Sequence, residues 1–152
     1  MGLMMKGNAA TYLALFALTV LLLAARPAMG QVAVICHKDV PQDEIDKKQL
    51  LDFYVGDILQ WTDGTKIILI DQKDKGPVRE RFFDFLGKSS ARMKSIWMKN
   101  MLSGESDPPL TLDNDQEILE KVASTPGCIA FISQEAVDDS VKLLLSIPLS
   151  TE

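Results

Sequence analysis

The sequence has few of the side chains from which catalytic and metal sites are usually built. It contains a single histidine, His37, and two cysteines, Cys36 and Cys128. No Cys-x-x-Cys pair is present, so the usual ligand set of a structural zinc site is missing. No nucleophile with a partner base can be identified around His37. The residues therefore predict a protein that is not an enzyme and has no metal or cofactor.

Positive charge is also scarce. The chain has 16 basic and 21 acidic residues, and two of the basic ones, Lys6 and Arg26, lie in the first 30 residues. Without them the chain keeps 14 basic and 21 acidic residues, a formal charge of −7. Such a surface repels a phosphate backbone, so we expect no nucleic-acid partner. No basic amphipathic helix is present that would hold the protein to anionic lipid.

The first 30 residues have the pattern of a signal peptide. Lys6 provides a positive start, and an uncharged run of small and apolar residues follows from Ala9 to Ala25. Ala28-Met29-Gly30 then places small residues at the positions that a signal peptidase reads. We expect cleavage before Gln31 and export to the periplasm.

What remains, residues 31–152, is long enough for one domain. The alternative to cleavage is an uncleaved membrane anchor. The apolar run is about 17 residues long, against the roughly 20 that usually span a bilayer. An uncleaved signal segment is the only membrane contact that the sequence predicts.

The two cysteines allow two interpretations. Export to an oxidising compartment makes a disulfide between Cys36 and Cys128 chemically possible. Cys36 ends one predicted strand and Cys128 begins another, so an antiparallel pairing of these strands would bring the residues together. The alternative is a pair of buried thiols that behave as small apolar residues.

Short apolar runs alternate with segments of helical spacing along the mature chain. The predicted strands are Val32–Cys36, Lys66–Ile70, Cys128–Ile132 and Val141–Ile147. Four helices are predicted between them, with starts at Asp46, at Gly76-Pro77, at Ser89, and at Asp113 or Asn114. The third helix carries a stripe predicted to be buried, Met93, Ile96, Trp97 and Met101. This alternation predicts an α/β domain of two or three layers.

The second of these helices provides the local case for an anion site. A helix that begins near Pro77 presents free N–H groups and the positive end of its dipole. The candidate ligand-binding residues are Lys75, Gly76, Arg79 and Arg81. Arg79 has the geometry to grip a phosphate or carboxylate with two hydrogen bonds. The alternative is that both arginines pair with surface acids such as Glu80 or Asp84.

Five segments, taken in order from Val32 to about Pro148, resemble a known family. They are VAVICHKDVP, LLDFYVGDILQWTDGTKI, RERFFDFLGKSS, SGESDPP and TPGCIAFI. Together they are similar to the short, single-lobe relatives of the periplasmic phosphate-binding proteins of ABC transporters. The resemblance implies one lobe of a type II periplasmic-binding-protein fold, a small mixed sheet flanked by helices. It also implies a phosphate-like anion as ligand, with an ABC permease or another envelope protein as partner.

Two positions depart from the full-length family, whose members close two lobes on phosphate. A serine–glycine–threonine motif of those proteins aligns here with Gly76, Pro77 and Val78, which have no hydroxyl groups. An arginine that precedes that motif aligns near Gln72. The first hypothesis is an exported solute-binding protein that captures a small anion between Gly76 and Arg79. The alternative is an envelope protein-interaction module that keeps the fold and has lost solute binding.

Overall fold

The computed structural model describes residues 31–148. The predicted signal peptide, residues 1–30, lies outside the described residues. Within the described part, no helix has both the length and the apolar character needed to cross a membrane.

Five strands and four α-helices follow one another along this part of the chain. The strands are β1 (Val32–Cys36), β2 (Ile68–Gln72), β3 (Leu110–Leu112), β4 (Cys128–Ser133) and β5 (Lys142–Ile147). The helices are α1 (Lys47–Val55), α2 (Pro77–Leu86), α3 (Ser90–Ser103) and α4 (Asp115–Ser124). A 3₁₀ turn, Gln134–Ala136, follows β4.

The strands form one mixed sheet in the order β3-β2-β4-β1-β5. β2 is parallel to both β3 and β4, whereas β1 is antiparallel to both β4 and β5. β2, β3, β4 and β5 therefore all run in one direction, and their carboxyl ends meet at one edge of the sheet. We call this the carboxyl edge; it is formed by Gln72, Leu112, Ser133 and Ile147 and the segments that follow them.

Helices cover both faces of the sheet. All five residues of β1 are buried, as a continuous apolar run predicts for a strand with no face in water. On one face α1, α2 and α3 pack on β1 and β4, with Phe82 stacked on Phe131 at a centroid distance of 3.9 Å. On the other face α4 packs through Ile118, Leu119 and Val122. This arrangement confirms the predicted small mixed sheet flanked by helices.

The sequence placed two regions incorrectly. β2 extends past its predicted end at Ile70 to Asp71 and Gln72, which are polar and buried. β3 was missed, because its three residues are largely exposed and too few to show a strand pattern. Met101 was expected in the buried stripe of α3, yet its side chain is 44% exposed.

The disulfide interpretation is not supported by the arrangement of the sheet, because both cysteines are free and buried. β1 and β4 are antiparallel neighbours, but Cys36 lies opposite Ile129 and not opposite Cys128. Successive side chains of a strand point to opposite faces. Cys36 therefore lies in the cluster under α1, α2 and α3, and Cys128 lies in the cluster under α4. A bond between them would have to pass through the sheet.

The two thiols should react slowly in the folded protein. Burial raises the pKa of both Cys36 and Cys128 to about 12, so little reactive thiolate exists at about pH 8. We expect alkylation by iodoacetamide only after unfolding in urea, and a non-reduced intact mass that corresponds to two thiols. A folded protein whose non-reduced mass is lower by two hydrogens would contradict this expectation.

Gly127 should tolerate no side chain. Its φ is +81°, and a Cβ atom there would lie 2.2 Å from the backbone oxygen of Lys66. We expect Gly127→Ala to lower the free energy of unfolding by about 3 kcal/mol or more, because the alanine would strain the backbone and its Cβ would overlap with the Lys66 oxygen. Gly87 is the matched control, since its φ of +72° is similar and no atom lies within 4 Å of the added Cβ. Gly87→Ala should cost about 1 kcal/mol in the same urea titration.

Candidate functional site

The polar residues that the sequence singled out lie at the carboxyl edge. β2 ends there at Gln72, and the chain passes through residues 73–76 into the first turn of α2. α4 also begins at this edge, at Asp115, directly after β3. In open α/β sheets, ligands bind outside the carboxyl ends of the strands. The carboxyl edge is therefore the candidate site.

The N-terminus of α2 differs from those of the other helices in residues 31–148. α1, α3 and α4 are each capped by a side chain, from Asp46, Ser89 and Asn114. α2 begins after Gly76, and no side chain caps it. The N–H groups of Val78 and Arg79 thus lack a capping side-chain acceptor, and the positive end of the helix dipole is not offset by a cap.

Arg79 of α2 forms a buried ion pair with Asp71 of β2. Its Nε donates to Asp71 Oδ1 (2.9 Å) and its Nη2 donates to Asp71 Oδ2 (2.8 Å). The two side chains are 10% and 6% exposed, and the guanidinium lies 4.8 Å from the centroid of Phe83. The pairing acid is therefore neither Glu80 nor Asp84. This pair holds the start of α2 against the end of β2.

The other candidate residues are more accessible. Lys75 is exposed and Gly76 is partly exposed. Arg81 is also partly exposed, and its Nε donates to the carbonyl oxygen of Pro148 (2.8 Å), just after β5. All four candidate residues thus fall within the loop before α2 and its first turns. Lys73 is paired with Asp113 (3.0 Å).

Gln72 forms a hydrogen-bond network that sequence reasoning missed. Its Nε2 donates to Asp115 Oδ1 (2.9 Å) and to the carbonyl oxygen of Phe131 (3.2 Å). Asp115 Oδ2 accepts from the backbone N–H of Ser133 (3.1 Å). Burial raises the pKa of Asp115, and these two hydrogen bonds offset part of that effect. The network ties the ends of β2 and β4 to α4.

The sequence contains one weak signal for this network. Asp115 directly follows the predicted helix start at Asp113 or Asn114, a position at which an acid favours a helix N-terminus, and it does begin α4. Its contact with Gln72 joins residues 43 positions apart, which spacing along the chain does not show. A search of residues 31–148 finds no group of three His, Cys, Asp or Glu side chains that could hold a metal ion.

Comparisons with known proteins agree on the fold. No family model matches the sequence, and no curated protein matches it. A protein from Clostridium perfringens assigned as a phosphate ABC transporter substrate-binding protein, solved with bound phosphate, is similar at a TM-score of 0.62 and 23% identity. An ABC-type phosphate transport receptor from Vibrio cholerae is similar at a TM-score of 0.60 and 20% identity. PstS from Borrelia burgdorferi is similar at a TM-score of 0.55 and 15% identity.

The matched regions show how much of those proteins this chain represents. The alignments cover 74%, 74% and 76% of this chain, but 43%, 44% and 47% of the three solved chains. The chain therefore spans less than half the length of each. These neighbours are solute-binding proteins and not enzymes. The protein has the fold of a single lobe of the phosphate ABC transporter substrate-binding proteins.

Proposed function

We propose that the protein is an exported, non-enzymatic solute-binding protein that captures a small phosphate-like anion at the carboxyl edge. The fold it shares with phosphate transport receptors supports this proposal. By the same argument, an ABC permease of the envelope is the partner that we infer. Export relies on the proposed signal peptide, residues 1–30.

One observation carries the proposal: α2 begins without a side-chain cap at the carboxyl edge, the edge at which open α/β sheets usually bind ligands. The N–H groups of a helix N-terminus and its dipole together favour an anion. Gly76 brings no side chain of its own to the cap. The Asp74 carboxylate lies close to this position, with Oδ2 3.0 Å from where a Cβ of residue 76 would be. This exposed side chain has to move aside when an anion binds. Lys75, exposed beside Gly76, adds a positive charge.

The two arginines have different proposed roles. Arg79 uses Nε and Nη2 for Asp71, which leaves the two N–H groups of Nη1 as donors toward an anion. Arg81 uses Nε for Pro148 and keeps its Nη groups. Both side chains are therefore held in place before a ligand arrives, and preorganisation lowers the entropic cost of binding.

Two acids near the site limit its affinity. Glu80 lies in the first turn of α2, and Asp74 lies beside Gly76. Each carboxylate repels a bound anion, because charges this close to one another are only partly screened by salt. We therefore expect binding in the micromolar range, near −8 kcal/mol or weaker.

A carboxylate placed at Gly76 should weaken binding. Gly76 has φ −73° and an extended backbone, which aspartate adopts without backbone strain. The exposed Asp74 carboxylate, 3.0 Å from the added Cβ, has to shift, and the new side chain would then cap α2 with its own negative charge. We expect Gly76→Asp to weaken phosphate binding by at least about tenfold in isothermal titration, because its carboxylate occupies the N–H groups. The protein would be purified after export from cells that express the full chain, and titrated with phosphate, sulfate and acetate at low salt.

Ser89→Asp provides the matched control for that titration. Ser89 caps α3, so the change adds the same charge at a different helix N-terminus, and phosphate binding should be unchanged. If the folded wild-type protein gives no heat with any of the three anions, the solute-binding proposal is wrong. The envelope interaction module would then be the better hypothesis.

The role of Arg79 has to be separated from its contribution to the fold. We expect Arg79→Ala to lower the free energy of unfolding by about 3–5 kcal/mol, because it leaves Asp71 buried and unpaired. Arg81→Ala, which removes one hydrogen bond at a partly exposed site, should cost about 1 kcal/mol. Urea unfolding of Arg79→Ala, of Asp71→Ala and of the double variant measures the coupling between the two side chains. An unchanged stability of Arg79→Ala would show that the ion pair does not hold α2 in place.

A further inference from the structure

The exposed apolar side chains of residues 31–148 are concentrated at one end of the molecule. Seven large apolar side chains of this part of the chain are exposed: Ile58, Leu59, Met98, Met101, Leu102, Leu110 and Leu143. Four of them border one groove, and Met98 and Leu102 lie on adjacent positions of α3. Only Leu143, on β5, lies elsewhere. Scattered exposed apolar residues need no explanation, but a contiguous apolar patch indicates an interaction site.

The groove lies at the end of the sheet opposite the carboxyl edge. It is bounded by the start of β2, the C-terminal ends of α1 and α3, and the segment that leads into β3. Its volume is about 470 Å³, within the range of about 300–1,000 Å³ that is usual for ligand pockets. Its floor is apolar, since Phe53 and Ile67 are nearly buried and the indole N–H of Trp97 already donates to the carbonyl oxygen of Tyr54 (2.7 Å).

The electrostatics of the groove favour a basic occupant. Both α1 and α3 end at it, at Gly56 and Gly104, and neither helix has a basic residue in its last turn. The negative ends of two helix dipoles therefore meet there. Of the described residues that line the groove, Lys66 is the one base, and it is paired with Asp107 (3.1 Å). Glu105, which directly follows the cap of α3, adds a further negative charge.

A free strand edge lies beside the groove. β3 is at the end of the sheet order, so no strand of the described residues pairs with its outer edge. Its first residue, Leu110, borders the groove and is 46% exposed. An extended peptide can add to such an edge through main-chain hydrogen bonds, while its alternate side chains enter an adjacent pocket.

We propose that the groove and the outer edge of β3 bind an extended segment of a partner protein that has alternate apolar residues and basic flanks. The segment pairs with β3, and its apolar side chains contact Leu59, Met101 and Leu110. Its basic residues face Glu105 and the ends of α1 and α3. This surface is separate from the carboxyl edge, so partner binding and anion binding do not compete for the same residues.

The test uses two peptides that differ only in flanking charge. Acetyl-KLTLTLK-amide carries basic flanks, and acetyl-ELTLTLE-amide is the acidic counterpart. Binding is measured by tryptophan fluorescence and titration calorimetry, with protein purified after export from cells that express the full chain. At low salt, we expect the basic peptide to bind with a dissociation constant below about 1 mM. The acidic peptide should bind at least about tenfold more weakly.

Met101→Asp should abolish binding of the basic peptide, because it places a carboxylate in the apolar border. Leu143→Asp is the matched control: Leu143 is 40% exposed, close to the 44% of Met101, and lies on β5 at the other side of the sheet. Leu143→Asp should leave binding unchanged. A cooperative unfolding transition in urea, measured for each variant, would show that both variants fold.

Three results would overturn the proposal. The first is no binding of either peptide at millimolar concentration, and the second is equal loss of binding in Met101→Asp and Leu143→Asp. The third is dimerisation of the wild-type protein in sedimentation that Met101→Asp abolishes, which would assign the groove to a second copy of this chain. Phosphate binding is measured in the same variants. That result tests only the proposed anion site at the carboxyl edge, so the two proposals can fail separately.

Discussion

Burial of β1 and β4 on both faces of the sheet is the constraint on which the rest of the structure depends. Every residue of β1 is buried, and so are the first five of β4. Two central strands without a solvent face require a helical layer on each side. Polar and charged chemistry is then confined to the ends of the strands, where the chain leaves the core.

The two ends of the sheet differ in character for this reason. At the carboxyl edge, the Arg79–Asp71 ion pair and the Gln72–Asp115 hydrogen bond hold the starts of α2 and α4 in defined positions. At the opposite end, α1 and α3 stop at left-handed glycines and leave apolar side chains in contact with water. One end is thus polar and internally bonded, and the other is apolar and open.

Local signals in the sequence predicted most of the elements. Val32–Cys36 was predicted with its observed bounds because a continuous apolar run has few alternatives. The caps Asp46 and Ser89 were predicted, and Asn114 was one of the two residues predicted to cap its helix. Short polar side chains at helix starts act within three residues, so the sequence shows them locally. The single-lobe fold followed from the order of five weak motifs and not from any one of them.

What the sequence did not reveal depends on contacts between distant residues. Asp71 and Gln72 are polar, and their burial follows from Arg79 in α2 and Asp115 in α4. The faces of Cys36 and Cys128 depend on the register of β1 against β4, which a shift of one residue would reverse. β3 pairs with only three residues of β2, and its alternation, Leu110-Thr111-Leu112, is too short to indicate a strand.

The separation of the two thiols by the sheet has a consequence for how the chain matures. In an oxidising compartment, Cys36 and Cys128 are accessible only while the chain is unfolded, because both are fully buried afterwards. A disulfide formed at that stage would join two side chains that the native sheet places on opposite faces, so β1 and β4 could not pair in their native register. The order of events in such a compartment therefore matters: β1, near the start of the described residues, and β4, more than 90 residues later, would have to meet before the thiols are oxidised.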